Sequence, residues 1–239
     1  MITVPSHAID IIIMTNGITA SPVELAYRII DELVGDGALG AREPRAASAH
    51  FPNLLGKRYY DPASQLLVEF GVVDDKLGLA VMNGAPVALR DEGETLRLGF
   101  EDVAMGPYVL ERSALDGQPT APDTIEIAES GWKRQLQLLP DEPSLDVAAA
   151  LAGRYRSHDL DADAVIVREN DTWKLRIFGV HGMNDLAFEP LSANVFGVTH
   201  PELAKMRLVL TTEGDGGRVQ AFFVHSGRTR HMRFARLDA

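Results

Sequence analysis

The sequence has no cysteine among its 239 residues, which excludes disulfide bridges, thiolate zinc sites and cysteine nucleophiles. Positive charge is also scarce, because 23 Lys and Arg stand against 34 Asp and Glu, for a formal net charge of −11. Nucleic acids and anionic membranes both select basic surfaces, so neither is expected as a partner. No apolar run approaches the roughly 20 residues that a membrane-spanning helix needs.

The first residues, Met1 to His7, lack a basic segment leading into an apolar stretch of about 7–15 residues, the pattern of a secretory signal. The location is therefore unknown, and a cytoplasmic one is favoured if Met1 is the true start. With 46% hydrophobic and 24% charged residues, the composition is that of a globular protein. The length fits one large domain or two small ones.

Residues 1–37 have a pattern of their own. The unbroken apolar run from Ile11 to Met14 precedes a turn signal and predicts a strand buried on both faces. Ser21-Pro22-Val-Glu24 has the N-cap, first-turn proline and capping box of a helix start, and apolar residues then recur every three or four positions. We predict a helix over 22–34. Residues 38–52 show neither periodicity and are predicted to be a linker.

From residue 54 onward the hydrophobic pattern alternates instead. Segments 95–100, 124–127 and 173–178 alternate apolar and polar residues, and turn signals separate many such segments. Many short strands at short spacing predict an all-β sandwich or barrel.

A weak internal repeat sharpens this prediction. Gly56-Lys-Arg-Tyr59 resembles Gly153-Arg-Tyr155, with the glycines 97 residues apart, and each is followed by a strand, an acidic turn and a second strand. We predict a mainly β protein with two consecutive eight-stranded antiparallel, lipocalin-like barrels over 53–140 and 144–239, preceded by the strand-helix segment.

These residues resemble a known family. Val4-Pro5, the apolar strand before Thr15-Asn16-Gly17 and the 21–33 helix look like the last strand and C-terminal helix of serine β-lactamase and penicillin-binding-protein-like hydrolases. The doubled Gly-basic-Tyr module is similar to the two β-barrels appended to the D-aminopeptidase branch of that family. The resemblance covers nearly the whole chain. It implies a preceding catalytic domain with a nucleophilic Ser in S-x-x-K, a Tyr-x-Asn motif and a Lys- or His-x-Gly motif.

An ordered set of those motifs is missing here. No tyrosine is followed two residues later by asparagine. His225-Ser-Gly227 matches His-x-Gly but lies near the end of the second module, whereas the family pattern places it ahead of Ile11. Ser130-Gly-Trp-Lys133 matches S-x-x-K, yet it falls between two alternating segments, where a hairpin is expected rather than the helix start that this chemistry uses. We therefore expect no catalytic residue and no enzyme activity from this chain alone.

Metal and cofactor sites are not predicted. No two of the seven histidines have the i, i+4 spacing of a helical metal site. The acidic segment 159–163 lacks the turn glycine and terminal glutamate of a calcium loop.

The second module holds the candidates for ligand or partner contact. Arg228 and Arg230 belong to the densest positive cluster, which could bind a carboxylate or the acidic remainder of the parent enzyme, or could form the solvent side of the last strand with Met232 and Phe234 pointing inward. The family resemblance implies that a loop from the last barrel limits substrate size at the active site. His181, Asn184 and His200 are the candidates for such loops.

Two functions are kept. In the first, the chain is the non-catalytic C-terminal region of a D-aminopeptidase-like hydrolase and shapes access to an active site supplied elsewhere. Its partner would be the missing catalytic domain or a second copy of the chain, bound through Ile11, Ile12, Ile13 and the 22–34 helix. In the second, the barrels are a lipocalin-like small-ligand binder. A hydrolase using Ser130 is a third, minor possibility.

The barrel interiors discriminate between the first two functions, because an open cavity favours ligand binding and a filled core favours a spacer. The aromatic residues could serve either, and a filled core is favoured. They are Trp132, Trp173, Phe178, Phe188, Phe196, Phe222 and Phe223.

Overall fold

The computed structural model describes residues 2–14, 22–35, 51–98, 108–129, 131–140, 146–180, 182–192, 194–199, 208–213, 219–226 and 229–237. The chain divides into two compact units, Met1–Pro44 and Arg45–Ala239. The larger unit contains both predicted barrels.

The first unit is a short hairpin with one helix. Strands β1 (Ile2–Val4) and β2 (Ile9–Ile11) pair antiparallel, and a single 3-10 turn, Pro5–His7, joins them. Helix α1 (Pro22–Val34) confirms the helix predicted over 22–34. Four buried side chains form its small core: Val4, Ile11, Ala26 and Ile30.

The predicted strand over 11–14 is wrong. Ile11 pairs with Ile2 at the end of the hairpin, so the three-residue β1 offers no partner to the residues beyond it. Ile11 is buried, whereas Ile12 is 71% and Met14 92% exposed. Ile13 packs partly against the core of this unit.

The first barrel is formed by eight antiparallel strands in sequence order, and the last strand pairs with the first to close it. They are β3 (Arg58–Asp61), β4 (Leu66–Val73), β5 (Lys76–Val81), β6 (Val87–Asp91), β7 (Thr95–Leu98), β8 (Tyr108–Glu111), β9 (Thr124–Glu129) and β10 (Trp132–Leu138).

The second barrel repeats this topology after a short helix, α2 (Asp146–Ala150). Its strands are β11 (Gly153–Ser157), β12 (Ala162–Glu169), β13 (Thr172–Gly179), β14 (Gly182–Pro190), β15 (Val195–Thr199), β16 (Leu208–Glu213), β17 (Ala221–His225) and β18 (Met232–Arg236). The prediction of two consecutive eight-stranded antiparallel barrels after a strand-helix segment is confirmed.

Matching turns explain the internal repeat. Asp74 and Asp75 join β4 to β5 with φ of +48° and +61°, and Asn170 and Asp171 join β12 to β13 with φ of +47° and +62°. Two successive positive φ angles make a type I′ turn, whose twist matches that of the flanking strands, and Asp and Asn tolerate this conformation.

Asn-Gly pairs usually fill the two central positions of a hairpin turn, but the turn at Asn83-Gly84 is centred one residue earlier. Met82 and Asn83 carry the positive φ angles, +52° and +60°, and the Gly84 N–H closes the turn by donating to the Val81 carbonyl at 3.0 Å. Asparagine therefore takes the second central position of the turn, and Gly84 lies just beyond it.

Hydrophobic side chains form a contiguous core in each barrel. In the first, Tyr59 meets Phe70 edge to face. In the second, Phe222 meets Tyr155 edge to face and stacks on Phe234. Among the candidate aromatic residues, the second core includes Phe188, Phe196 and Phe222, with Trp173 packed against it.

The remaining aromatic candidates lie elsewhere. Trp132 is 75% exposed and Phe178 40% exposed. The expectation that they fill a core or line a barrel interior is therefore wrong for both. Phe223 follows the inward-facing Phe222 and therefore points to the outside of the barrel. Within the described part of the chain, no helix is both long and apolar enough to cross a membrane.

Candidate functional site

The most distinctive site is the surface where the two barrels meet, which we call the seam. Leu191, Val195 and Val209 of the second barrel belong to the hydrophobic cluster of the first. Gly197 sits so close to the first barrel that a Cβ atom there would lie 2.6 Å from the Asn83 amide nitrogen. The barrels are therefore packed directly on each other.

Strand alternation explains why these residues are available. Phe196 and Val198 point into the second barrel, so Val195 and Gly197 point outward. All four are nevertheless buried, because the first barrel covers their outer face. The same alternation turns Val209 outward beside the inward-facing Leu210.

Arg230 provides the polar part of the seam. It lies on the connection between β17 and β18, and its guanidinium reaches the first barrel. One nitrogen donates to the Ser64 carbonyl at 2.6 Å, and another donates to the Glu129 carboxylate at 3.1 Å. Both members of the ion pair are largely screened from water, with 18% of each side chain exposed. A charge-assisted bond in such a setting is stronger than one in open solvent.

Glu129 is the acceptor on which this network converges. Its carboxylate also accepts from the Tyr108 hydroxyl at 3.1 Å and from Arg134 Nε at 2.6 Å. Burial alone would raise the pKa of Glu129, but the hydrogen bond from Arg134 and the charge of Arg230 lower it overall. Burial and the neighbouring carboxylate raise the pKa of Tyr108 to about 12. Glu129 is thus ionised and Tyr108 neutral near pH 7.

His225, the last residue of β17, lies at the start of the same connection and is paired with the seam residue Val209. It is fully buried, its Nε2 lies 2.9 Å from the Thr211 hydroxyl, and its Nδ1 accepts the backbone N–H of His231 at 3.0 Å. Because Nδ1 is an acceptor, the proton of the neutral ring lies on Nε2 and is donated to Thr211. Burial, followed by the charges of His231 and Arg230, lowers the pKa of His225 to about 4.

The seam can neutralise charges between two surfaces and hold those surfaces together. Two arginines face one carboxylate, a tyrosine donates to it, and a neutral histidine stands beside one of the arginines. These groups bind one another, so the seam is built for positioning.

Two of the predicted contact residues, Asn184 and Arg230, lie at one end of the second barrel. Because the strands alternate in direction, the β11–β12, β13–β14, β15–β16 and β17–β18 connections all leave the barrel at that end. Asn184 lies there, exposed on β14 opposite Ile177. Arg230 lies there too, but it faces the first barrel. His181, His200 and Arg228 lie outside the described residues.

Strand β18, which follows Arg230, has the alternation expected if the basic residues form the solvent side of the last strand. Met232 and Phe234 pack in the second core, as predicted. Arg233 is exposed on the outer face and pairs with Glu213 at 3.3 Å.

The described residues of the two isolated motifs are held by other contacts. Ser130 lies outside the described residues, but the strands on either side, β9 and β10, pair antiparallel, as the hairpin prediction requires. Lys133 is on a strand rather than a helix, and its Nζ binds the Glu126 carboxylate at 2.6 Å. His225 of His-x-Gly uses both ring nitrogens for internal contacts.

The opposite end of the second barrel is closed by Arg236. Its guanidinium donates to the carbonyls of Val219, Ala152 and Ala150 at 2.6, 2.9 and 2.7 Å. It also donates to the Tyr155 hydroxyl at 2.7 Å and lies over the tyrosine ring. A Cβ atom at Gly153 would come within 2.3 Å of this guanidinium.

The first barrel has an open depression of about 520 Å³ beside the end of its last strand, β10. It combines a carboxylate and other polar groups with apolar side chains. Its lining residues are Asp123, Thr124, Gln137, Leu138, Leu139 and Pro140.

Among the described residues, no group of three His, Asp or Glu side chains is placed to hold a metal ion. The chain matches no protein-family model and no curated protein in sequence comparisons.

Sequence reasoning missed most of the seam, including Glu129, Tyr108 and Thr211. One signal was available. Val195-Phe-Gly-Val198 is apolar without alternation, which is typical of a strand covered on both faces.

Proposed function

We propose that this chain is the non-catalytic C-terminal region of a β-lactamase-like serine hydrolase of the D-aminopeptidase kind. Its barrels would shape or restrict access to an active site that another segment or chain supplies. The observation that carries the proposal is the joining of two core-filled barrels into one unit through a packed, charge-neutralised seam. Such a unit can hold a loop at a fixed position, and that is what a specificity module requires.

The barrel cores support this role over ligand storage. Each contains a contiguous cluster of buried side chains, with aromatic rings in mutual contact near its centre. Small barrels filled by their own side chains serve as scaffolds, whereas lipocalin-type binders keep an open interior.

The first unit supports a partner. Leu25 and Leu33 of α1 are 46% and 65% exposed, and Ile12 and Met14 are exposed beyond β2. Exposed apolar side chains in such a small unit are typical of a contact surface. We propose that the catalytic hydrolase domain or a second copy of the chain binds there, through Ile12 and the exposed face of helix 22–34. Ile11 is buried in the core of this unit and Ile13 packs against that core, so these two residues of the expected contact support it from behind.

The alternative function, small-ligand binding, rests on the depression near Leu138. It lies at the end of the first barrel and combines polar and apolar groups. A ligand bound there would be held at the barrel mouth, and Leu138→Arg would then abolish its binding.

The first test asks whether this chain has its own nucleophile. The purified chain is incubated with a fluorescent penicillin, and covalent labelling is measured beside a Ser130→Ala variant. We expect no labelling of either protein. Labelling that disappears in Ser130→Ala would show an independent hydrolase and overturn the proposal.

The second test reads the gene upstream of Met1 for S-x-x-K, Tyr-x-Asn and Lys- or His-x-Gly motifs, and expresses that segment together with this chain. His181→Ala and Asn184→Ala should change kcat/KM for long substrates relative to short ones. Trp132→Ala is the matched control, because Trp132 is exposed on the first barrel. Equal substrate range in all four proteins, or an unrelated upstream gene, would contradict the proposed role.

A further inference from the structure

His225 is a buried histidine on the outer face of the second barrel. Its neighbour Val224 points into the barrel core, so the imidazole points outward. On that face His225 is paired with Val209, which packs against the first barrel. No solvent reaches the side chain, which is 0% exposed.

The hydrogen bonds of His225 are compatible with the neutral ring alone. Nδ1 accepts the His231 N–H at 3.0 Å, and Nε2 donates to Thr211 at 2.9 Å. A proton added to Nδ1 would face the His231 N–H, so two donors would confront each other and this bond would be lost. The new positive charge would also stand beside Arg230.

This hydrogen bond fixes the connection that carries Arg230. His231 has φ of +63°, a conformation that costs a non-glycine residue on the order of 1 kcal/mol and that must be held by its surroundings. At the other side of the connection, Ser226 and Thr229 close a turn with an N–H to carbonyl bond of 2.7 Å. Arg230 lies between these two fixed points and spans the seam to Ser64 and Glu129.

We propose that His225 is an acid-sensitive latch of the seam. While its imidazole is neutral, it holds His231 in place, and with it the neighbouring Arg230 against the first barrel, and proton uptake releases both residues. The latch acts within this chain and does not depend on the function proposed above.

The charged and titratable groups near the latch lie on both barrels. Among the described residues of the second barrel they are Arg230 and His231, and β16 contributes the uncharged Thr211. The first barrel presents Glu129 to Arg230, and Arg134 and Tyr108 donate to the same carboxylate.

The direction of the pH response follows from these groups. In the closed form of the seam, in which His225 is buried, its pKa is about 4. In an open form, in which the imidazole is exposed to water, the pKa is about 6.5. The open form therefore binds more protons than the closed form below about pH 6.5, and the closed seam loses stability as the pH falls from there toward 4. The pKa of Glu129 is lowered, so its pairing with Arg230 persists through most of this range.

Hydrogen exchange of the whole chain at pH 7.5 and 5.5, corrected for intrinsic exchange rates, tests the latch. Peptides covering 226–232 should lose about tenfold in protection at the lower pH, as one proton taken up by the open form requires. Peptides from β12, in the core of the same barrel, should be unchanged.

Two variants sharpen the experiment. His225→Asn keeps an acceptor for the His231 N–H without a titratable ring, so its seam should be equally protected at both pH values. His158→Asn alters an exposed histidine and should respond like the original chain. If His225→Asn does not fold, NMR titration of the histidines in the original chain replaces it, with His225 expected to titrate near pH 4.

Three results would overturn the latch. The first is equal seam protection at both pH values, and the second is the same tenfold loss in His225→Asn. The third is a parallel loss in β12, which would mean unfolding of the barrel rather than opening of the seam. In the NMR experiment, an imidazole titrating at its ordinary pKa would have the same meaning.

Discussion

The first strands of the two barrels follow the same pattern, but different side chains cover the barrel end at which each of these strands starts. In each, the residue just after the last strand is bonded to the first strand: the Leu139 N–H donates to the Arg58 carbonyl, and the Leu237 N–H donates to the Arg154 carbonyl, both at 2.8 Å. The preceding residues, Leu138 and Arg236, therefore occupy equivalent positions. The first barrel has an apolar side chain and an open depression there, and the second has a guanidinium that binds four oxygen atoms.

The equivalent tyrosines show the same difference. The Tyr59 hydroxyl donates to the Pro122 carbonyl at 2.9 Å, and the Tyr155 hydroxyl donates to the Leu151 carbonyl at 2.6 Å while accepting from Arg236. One backbone plan thus supports two kinds of closure. Through its hydrogen bonds, Arg236 links α2, β11 and the segment before β17, and we call it the hub of this end of the barrel. The apolar side chain of Leu138 can form no such hydrogen bonds in the first barrel.

The largest difference is expected between Gly153→Ala and Gly56→Ala. Both glycines have positive φ, +151° and +74°, but nothing lies near Gly56, while a Cβ at Gly153 would meet Arg236 at 2.3 Å. Gly56→Ala should cost about 1 kcal/mol through backbone strain alone. Gly153→Ala should cost about 3 kcal/mol or more, because it also displaces the guanidinium. Urea unfolding measures both, and equal losses would refute the hub.

Arg236→Met removes the hub directly. The methionine keeps much of the apolar stem but leaves the Ala150, Ala152 and Val219 carbonyls without their donor, so we expect a loss of about 2–3 kcal/mol. Leu138→Met at the equivalent position of the first barrel should cost less than about 1.5 kcal/mol. Thermal unfolding of the two variants compares the closures, and a Leu138→Met loss as large as that of Arg236→Met would show that the difference is unimportant.

The seam should couple the two barrels despite their different closures. Gly197→Ala places a methyl group against the buried Asn83 side chain and Leu191, so the surfaces must separate by a few tenths of an ångström. We expect a loss of about 1–2 kcal/mol from overpacking. Hydrogen exchange should show lower protection at the seam on both barrels. A change confined to the second barrel would mean that the first does not depend on this contact.

How much of this the sequence predicts depends on the range of the interactions. The helix over 22–34 and the turns at 74–75 and 170–171 follow from local rules of capping, periodicity and turn chemistry. The barrels follow from alternation summed over many strands. The prediction of a strand over 11–14 is wrong because the length of β2 is set by β1, which offers three pairing residues.

The seam could not be predicted in the same way. Glu129 and Arg230 are 101 residues apart, and their contact depends on which outer faces of two closed barrels meet. The apolar run 195–198 marks the face of the second barrel that is covered, but no sequence pattern marks the face of the first barrel that covers it. The basic residues near the C-terminus could equally have been solvent-exposed, as Arg233 is.

The smallest expected difference lies in the repeated turns. Asp75→Gly relieves the positive φ at the second central position of the β4–β5 turn and should stabilise the chain by about 0.5–1 kcal/mol. Asp171→Gly relieves the same conformation but also removes an exposed ion pair with Arg168 at 3.0 Å, worth only a few tenths of a kcal/mol. The gain at 171 should therefore be slightly smaller, as measured by chemical denaturation. A net loss at 171 would show that the second barrel relies on surface ion pairs where the first relies on its turn.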